Sequence, residues 1–244
     1  MIAGTEATNR RTDLSLVVPA FDEVESIGRA ILDANAALRA FAADYEIIVV
    51  SDGSTDGTTE LVRRATIINP RVRLIEHEYN RGYGAALRTG FTAARFPLVA
   101  ITDADCQFDL HQLADLVRAA ERHDVVCGYR IDRQDPAYRR FLSWGYNRVV
   151  TLLLGGSVRD CDCAMKVFRR DVLPRVMPES DNFFANAEML WKARQHGLSI
   201  AELGVRHRPR RLGRSKVTLR DVPRTLATLL PFWWSRRLFP RSAG

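Results

Sequence analysis

Acidic side chains crowd together directly after an apolar run in the stretch VAITDADCQFD, residues 99–109. Four apolar or β-branched residues come first, and Asp103, Asp105 and Asp109 follow. Carboxylates this close repel one another unless a positive group lies between them or they point apart into solvent. The stretch therefore fits either a cation-binding turn or an ordinary polar turn with a helix cap, and the elements around it must decide.

Strands and helices alternate along the first half of the chain. Apolar, β-branched runs that stop at turn residues predict strands over 14–20, 45–53, 72–76, 97–103 and 124–129. Helical spacing of apolar residues predicts the helices between them, over 24–41, 57–66, 83–95 and 110–122. Asp22 and Glu25 are spaced like a capping box for the first helix, and Asp109 is a candidate N-cap for the last. This alternation predicts an α/β fold with a mostly parallel sheet covered on both faces.

Polar motifs follow four of the predicted strands. The first, second and fourth strands end in PAFDE, SDGSTD and DADCQ, and the third is followed by the glycine-rich loop NRGYGAALRTG. In open parallel sheets, ligands bind in the crevice beyond the carboxyl ends of the strands. Three acidic clusters therefore meet at one edge, beside a loop whose backbone could approach a ligand closely.

Composition and charge exclude several classes of protein. The 244 residues are 46% hydrophobic and 27% charged, which is typical of a globular domain and not of a disordered chain. We expect no signal peptide, and no apolar run approaches the roughly 20 residues that span a bilayer. Four cysteines are too few for a disulfide scaffold and lack zinc-site spacing, so we expect reduced thiols: Cys106, Cys127, Cys161 and Cys163.

The positive charge is concentrated in the last part of the chain. Residues 206–244 hold eleven lysines and arginines and one acid, Asp221, whereas 1–205 hold 25 basic and 28 acidic residues. No RNP-type strand or helix-turn-helix signal accompanies this charge, so we expect no nucleic-acid partner. A dinucleotide-dependent oxidoreductase is also excluded, because GYGAAL lacks the third glycine and follows the third strand rather than the first.

The ordered set of motifs carries a family resemblance. VVPAFDE, VSDGSTDGT, NRGYGAALRTG, ITDADCQF, VRDCDCAMKVFRRDVL and RRLGRSK resemble family 2 glycosyltransferases of the GT-A fold, over about residues 14–216. More narrowly, the set is similar to the polyprenyl-phosphate (dolichol-phosphate) mannosyl- and glucosyltransferases. The resemblance implies an enzyme that moves a sugar from a nucleotide donor such as GDP-mannose or a UDP-sugar, inverting the anomeric centre in one in-line displacement.

The resemblance also implies where the donor binds. Asp105 and Gln107 would contact Mg²⁺ or Mn²⁺, and Asp103 would contact the metal or the donor's ribose. A diphosphate leaving group develops negative charge that such a cation neutralises, and hard cations prefer oxygen ligands. Asp52 would hold the base, and Arg130 is a candidate for the diphosphate or else a solvated surface arginine. The remaining donor-side residues implied are Pro19, Ala20, Phe21, Glu23, Arg81, Gly82 and Ala104.

The acceptor side depends on the motif RRLGRSK. The resemblance places Arg210, Ser215 and Lys216 against a phosphate, a role that suits the guanidinium of arginine. A lipid-phosphate acceptor is already ionised and needs no strong base, whereas an alcohol acceptor would need one. Candidate bases are Asp160, Asp162 and Glu188, of which Asp162 is our choice. DCDCAMK stands where many relatives have a Ser-Gly-Phe-Arg type stretch, which leaves the acceptor open.

The basic tail predicts a membrane-surface helix. Leucines and aromatics recur at helical spacing over 217–239 beside a fringe of arginines, which suits the bilayer interface, although such a helix could instead pack on the body of the protein. We therefore predict a flexible N-terminus over 1–13, a catalytic domain over 14–216 and a basic amphipathic tail over 217–244. The expected location is cytoplasmic, peripheral on the inner face of the membrane, with a possible membrane-protein partner. Alternatives are a soluble, glycan or protein acceptor, or a non-catalytic nucleotide-sugar-binding protein.

Overall fold

The fold is given by a computed structural model that describes residues 12–131, 144, 145, 148 and 158–209. Its strands are β1 (Leu14–Ala20), β2 (Tyr45–Asp52), β3 (Val72–His77), β4 (Leu98–Ile101), β5 (Val125–Ile131), β6 (Lys166–Arg169) and β7 (Ile200–Arg206). Its helices are α1 (Ile27–Phe41), α2 (Thr58–Ile68), α3 (Tyr83–Ala93), α4 (Leu113–Ala119), α5 (Leu173–Val176) and α6 (Ala185–Gln195). All five predicted strands and all four predicted helices are present.

The seven strands form one sheet in the order β3-β2-β1-β4-β6-β5-β7. β6 runs antiparallel to its neighbours β4 and β5, and the other pairs are parallel. The prediction of a mostly parallel sheet is confirmed. The sequence patterns did not single out β6 and β7, which complete the half of the sheet beyond β4.

Alternating side chains of the central strands build one core on each face of the sheet. Leu16 and Val18 of β1 pack with α1, α2 and α4, whereas Val17 packs with α3, α5 and α6 on the opposite face. These strands are apolar at successive positions because both faces are covered. Among the described residues, no helix combines the length and apolarity needed to cross a bilayer.

The helix starts were only partly predicted. Asp109 does act as an N-cap, since its carboxylate accepts from the His111 N–H at 3.2 Å at the start of the short 3-10 turn that leads into α4. The capping box for α1 is wrong, because the helix is preceded by Ser26 and Asp22 instead accepts from the Thr55 N–H at 2.8 Å. The partner of Asp22 lies on the loop after β2, which a local sequence pattern cannot show.

The first residues of the described chain are tied to the body. The Asp13 carboxylate accepts from the Asp44 N–H at 3.1 Å, just before β2. Residues 1–11, the rest of the predicted flexible N-terminus, lie outside the described residues. The same holds for the predicted tail over 217–244 and for Arg210, Ser215 and Lys216.

Candidate active site at the carboxyl edge of the sheet

Two polar loops are joined where β1 and β2 end side by side. Besides the Asp22 contact to Thr55, the Asp56 carboxylate accepts from the Val24 N–H at 3.0 Å. Burial alone would raise the pKa of Asp56, but hydrogen bonds from Thr58 and from the Val24 N–H more than offset this and lower it. Asp22 of PAFDE and Asp56 of SDGSTD therefore hold the two loops together by hydrogen bonds to backbone N–H groups. The Glu23 carboxylate accepts from the Ser26 hydroxyl at 2.8 Å.

The acidic turn after β4 extends the same edge. The Thr102 N–H still bonds to the Val17 carbonyl at 3.2 Å, and the chain then leaves the sheet with Asp103 and Asp105 half-buried. Cys106 has a left-handed backbone (φ 59°), and the Asp105 carboxylate accepts from the Gln107 N–H at 3.1 Å. This compact turn brings the two aspartates together, as the sequence predicted.

Burial and neighbouring like charges both act on the acidic turn. Burial and the charge of Asp105 raise the pKa of Asp103, with a smaller contribution from Glu23. The positive charges of Lys166 and Arg130 oppose the increase without cancelling it. The turn therefore has an excess of negative charge, which a cation bound beside the two aspartates would neutralise.

The acidic turn is also bonded to the chain that follows β7. The Gln107 carbonyl accepts from the Arg208 N–H at 2.7 Å, and the Gln107 side-chain amide donates to the Arg208 carbonyl at 3.1 Å. The Arg208 guanidinium donates to the Asp109 carboxylate at 2.9 Å, and Phe108 packs edge-on against His207. The basic segment that begins after β7 therefore starts directly beside the acidic turn.

Asp52 is buried at the end of β2 with both carboxylate oxygens engaged. Oδ1 lies 2.6 Å from the His77 Nδ1 and accepts from the Arg81 N–H at 2.9 Å, while Oδ2 accepts from the Gly82 N–H at 2.8 Å. Asp52 thus fixes the loop that leads from β3 into α3. The exposed Arg81 side chain lies on this loop at the rim of the site.

The glycine-rich loop approaches protein backbone rather than an open ligand site. A Cβ added at Gly82 would collide with the Asp181 carbonyl, and one at Gly84 with the Ser180 carbonyl. The Gly84 N–H donates to the Asp181 carbonyl at 2.8 Å. These N–H groups therefore already have protein acceptors, and the binding roles expected for Arg81 and Gly82 stay predictions.

Comparison with known proteins identifies the family. The model of the family described as "Glycosyl transferase family 2" matches residues 15–177. The chain belongs to glycosyl transferase family 2. It is therefore a glycosyltransferase, as the motifs predicted.

Named relatives cover most of this family 2 chain. It is 32% identical over 94% of its length to the dodecaprenyl-phosphate galacturonate synthase of Rhizobium johnstonii, of which it spans 69%. It is 31% identical over 96% of its length to glycosyltransferase AglD of Haloferax volcanii, of which it spans 39%. It is 32% identical over 84% of its length to the undecaprenyl-phosphate 4-deoxy-4-formamido-L-arabinose transferase of Yersinia pestis, of which it spans 63%.

A solved structure shares the fold. Glucosyl-3-phosphoglycerate synthase from Mycobacterium tuberculosis, crystallised with Mn²⁺, UDP and glucosyl-3-phosphoglycerate, aligns with a TM-score of 0.71 at 18% identity. The alignment covers 95% of this chain and 82% of that one. The prediction of the GT-A fold is confirmed.

Three candidate bases have different surroundings in the family 2 chain. Asp160 forms a bidentate ion pair with Arg130, at 2.6 and 2.7 Å. Glu188 is fully buried, where it accepts from the backbone N–H groups of residues 179 and 180 and pairs with Lys192 at 2.9 Å. Only Asp162 is half-buried, and burial together with the charge of Asp160 raises its pKa to about 6.

The ion pair also decides between the two interpretations of Arg130. Its side chain is only 14% exposed, so the alternative of a solvated surface arginine is wrong. Burial alone would lower the pKa of the Arg130 guanidinium, but the hydrogen bond and charge of Asp160 raise it. Contact with a diphosphate stays a prediction for this residue.

Sequence reasoning missed a buried lysine beneath the site. Lys166 is fully buried in β6, and its Nζ donates to the Asn186 side chain at 3.0 Å and to the carbonyls of Cys161 and Cys163. It thus holds both residues that flank Asp162. Its signal in the sequence was a charged residue inside the apolar run CAMKVF.

Proposed function

We propose that this glycosyltransferase moves a sugar from a nucleotide-sugar donor to a polyprenyl phosphate with the help of a divalent cation. The observation that carries the proposal is the pairing of Gln107 with Arg208, which brings the acidic turn and the start of the basic segment together. A donor diphosphate bound to a cation and an acceptor phosphate bound to arginines would then be neighbours. The names of two relatives, which act on dodecaprenyl and undecaprenyl phosphates, support this acceptor class.

The acidic turn fits a cation that arrives with the donor. Among the described residues no group of three Asp, Glu, His or Cys side chains is arranged to hold a metal. Mg²⁺ and related hard cations commonly use one or two carboxylates and take their remaining ligands from substrate phosphates and water. The carboxylates of Asp103 and Asp105 supply such a partial set of ligands, and the side-chain carbonyl oxygen of Gln107 is a further ligand. Mg²⁺ or Mn²⁺ bound there would neutralise the charge that develops on the leaving diphosphate.

The donor pocket would follow the ends of β1 and β2. We assign the base and ribose to Pro19, Ala20, Phe21 and Glu23, with Asp52 holding the base and Ala104 under the diphosphate. Arg81 is exposed at the rim and can reach a phosphate through its side chain rather than its backbone. Gly82 would contribute only the shape of the loop, because its N–H is bonded to Asp52.

A phosphate acceptor matches the state of the candidate bases. Its oxygen attacks the anomeric carbon as an anion, the bond from that carbon to the diphosphate breaks, and the nucleoside diphosphate leaves. No proton must be removed, so the engagement of Asp160 and Glu188 in other contacts is no obstacle. Arg210, Ser215 and Lys216, which the motif RRLGRSK supplies, would bind the acceptor phosphate.

Asp162 supports a second candidate function. A half-buried carboxyl with a pKa of about 6 is suited to act as a general base for an alcohol acceptor. A soluble, glycan or protein acceptor would need this base, whereas a polyprenyl phosphate would not. Replacing Asp162 by asparagine should therefore abolish transfer to an alcohol but only weaken transfer to polyprenyl phosphate.

We place the enzyme on the inner face of the membrane, in the cytoplasm, where its lipid acceptor would lie. The basic amphipathic pattern over 217–239 supports contact with anionic lipid, and a membrane protein is a possible further partner. The intact protein should pellet with anionic vesicles at 0.1 M salt and release at 1 M, as the Debye length falls from about 10 Å to about 3 Å. No binding to the vesicles at 0.1 M salt would contradict this placement.

The deciding experiment presents polyprenyl phosphate in detergent micelles with UDP-, GDP- and dTDP-sugars and Mn²⁺. We expect a lipid-linked sugar from one donor class, detected by chromatography. Asp105→Asn should reduce its formation by roughly a hundredfold or more, the scale of losing a preorganised stabiliser of developing charge. Asp115→Asn, which changes an exposed acid on α4, is the matched control and should leave the rate unchanged.

Three results would each contradict a different part of the proposal. Full transfer in excess EDTA would remove the cation from the mechanism. Transfer to a soluble alcohol but not to polyprenyl phosphate would replace the acceptor and favour the role of Asp162 as a base. Donor binding without transfer to any acceptor would indicate a non-catalytic nucleotide-sugar-binding protein.

A further inference from the structure

A buried histidine at the end of β3 connects the donor side of the site to helix α3. The His77 Nδ1 lies 2.6 Å from the Asp52 Oδ1, and its Nε2 lies 2.9 Å from the Thr89 hydroxyl. The side chains of His77 and Asp52 are each 4% exposed. Water therefore has little access to replace either contact. The imidazole of His77 in β3 thus connects β2 to α3.

The loop after β3 depends on the carboxylate that His77 contacts. Asp52 accepts the backbone N–H groups of Arg81 and Gly82, and a Cβ added at Gly53 would collide with the backbone of Tyr79 and Asn80. The loop thus lies directly on the end of β2. A rotation of the Asp52 carboxylate would release both amides and move the exposed Arg81.

We propose that His77 is a positioning residue for the donor, acting through Asp52 on the loop that carries Arg81. The proposal rests on the proposed function, because it assigns this loop to the nucleotide sugar. His77 itself lies beneath the loop and touches Asp52 and Thr89 rather than the donor.

The chemistry of imidazole explains why a histidine suits this position. With the proton assigned to Nδ1 from its partners, the ring donates to Asp52 and accepts from the Thr89 hydroxyl at Nε2. An asparagine at position 77 would place its amide near the Nδ1 position and keep only the contact to Asp52. A glutamine would reach the Nε2 position and keep only the contact to Thr89. Comparing the asparagine and glutamine variants therefore separates the contact to Asp52 from the contact to Thr89.

The experiment compares His77→Asn with His77→Gln in two assays on the full chain. The first is hydrogen exchange of the Arg81 and Gly82 amides without donor, and the second is transfer kinetics with varied donor. His77→Gln should speed the exchange of both amides and raise the donor KM roughly tenfold, the effect of one lost hydrogen bond to a charged group, with kcat nearly unchanged. His77→Asn should restore both readouts to near the wild-type values.

The paired design keeps a structural effect distinct from positioning. Each variant loses one buried contact, and the loss of the contact to the charged Asp52 in His77→Gln should lower the melting temperature somewhat more. Equal amide exchange or equal KM in both variants would overturn the proposal. If His77→Gln does not fold, Thr89→Val replaces it, because it removes only the contact at Nε2. Exchange of the Arg81 and Gly82 amides should then stay slow. Fast exchange of these amides would overturn the proposal.

The two proposals fail in different ways. Amide exchange requires neither donor nor acceptor, so it tests whether His77 holds the loop even if the wild-type chain transfers no sugar to polyprenyl phosphate. If exchange responds as expected while donor KM does not, His77 holds the loop but the loop does not serve the donor, and the positioning proposal is overturned.

Discussion

Replacing Asp160 by asparagine should strongly destabilise the protein, because it leaves the Arg130 guanidinium buried without its counter-ion. The two side chains are 6% and 14% exposed and form two short charge-assisted hydrogen bonds. Removing one partner of a buried ion pair costs about 3–5 kcal/mol. Because Arg130 retains some solvent contact, we expect the lower part of that range, about 3 kcal/mol.

The same reasoning predicts strong coupling in a double-mutant cycle. Arg130→Met should also cost about 3 kcal/mol, because it leaves the Asp160 carboxylate buried beside the charge of Asp162. The double variant should cost far less than the two single changes together, with a coupling free energy of at least about 1.5 kcal/mol. For a chain of this size each single change corresponds to a fall in melting temperature of about 6–12 °C.

Urea unfolding followed by circular dichroism measures these free energies. Urea is preferable to guanidinium chloride here because it carries no charge and does not screen the ion pair. The matched control is Arg118→Met, which breaks an exposed pair with Asp115 and should cost less than about 0.5 kcal/mol. A loss below 1 kcal/mol for Asp160→Asn, or additive costs in the double variant, would refute the reasoning.

Two further variants test the core and the loop packing. Glu46 is buried, and hydrogen bonds from Arg73 and Ser15 outweigh its burial and lower its pKa below the usual 4.5. Its charged form therefore stabilises the protein above about pH 4.5. Glu46→Gln should lower the free energy of unfolding at pH 7, and this loss should shrink when the urea titrations are made below pH 4.5. A loss that does not depend on pH would contradict this. Gly84→Ala should cost about 1–3 kcal/mol in the same assay because its Cβ collides with the Ser180 carbonyl, whereas Gly28→Ala meets only the flexible Leu61 side chain and should be nearly neutral.

Local patterns in the sequence determined the order of the elements up to β5 and the edge of the sheet where the candidate site lies. Strand runs, helical spacing and the Asp109 cap each depend on residues within one or two turns of chain, so they can be recognised without a structure. The rule that parallel strands end at one edge then brought PAFDE, SDGSTD and DADCQ together. The ordered motifs identified the family from residue types alone.

Only the tertiary structure decided which of these polar groups remain available for chemistry. Asp22 and Asp56 fasten two loops, Asp160 is committed to Arg130, and the amides of Arg81 and Gly82 are committed to Asp52. In the sequence, the partners of these hydrogen bonds lie about 30 residues apart, and Gly84 contacts Asp181, nearly 100 residues further along the chain. Hydrogen bonds and close contacts between such distant segments depend on how the elements pack, and periodicity along the chain carries no record of that packing.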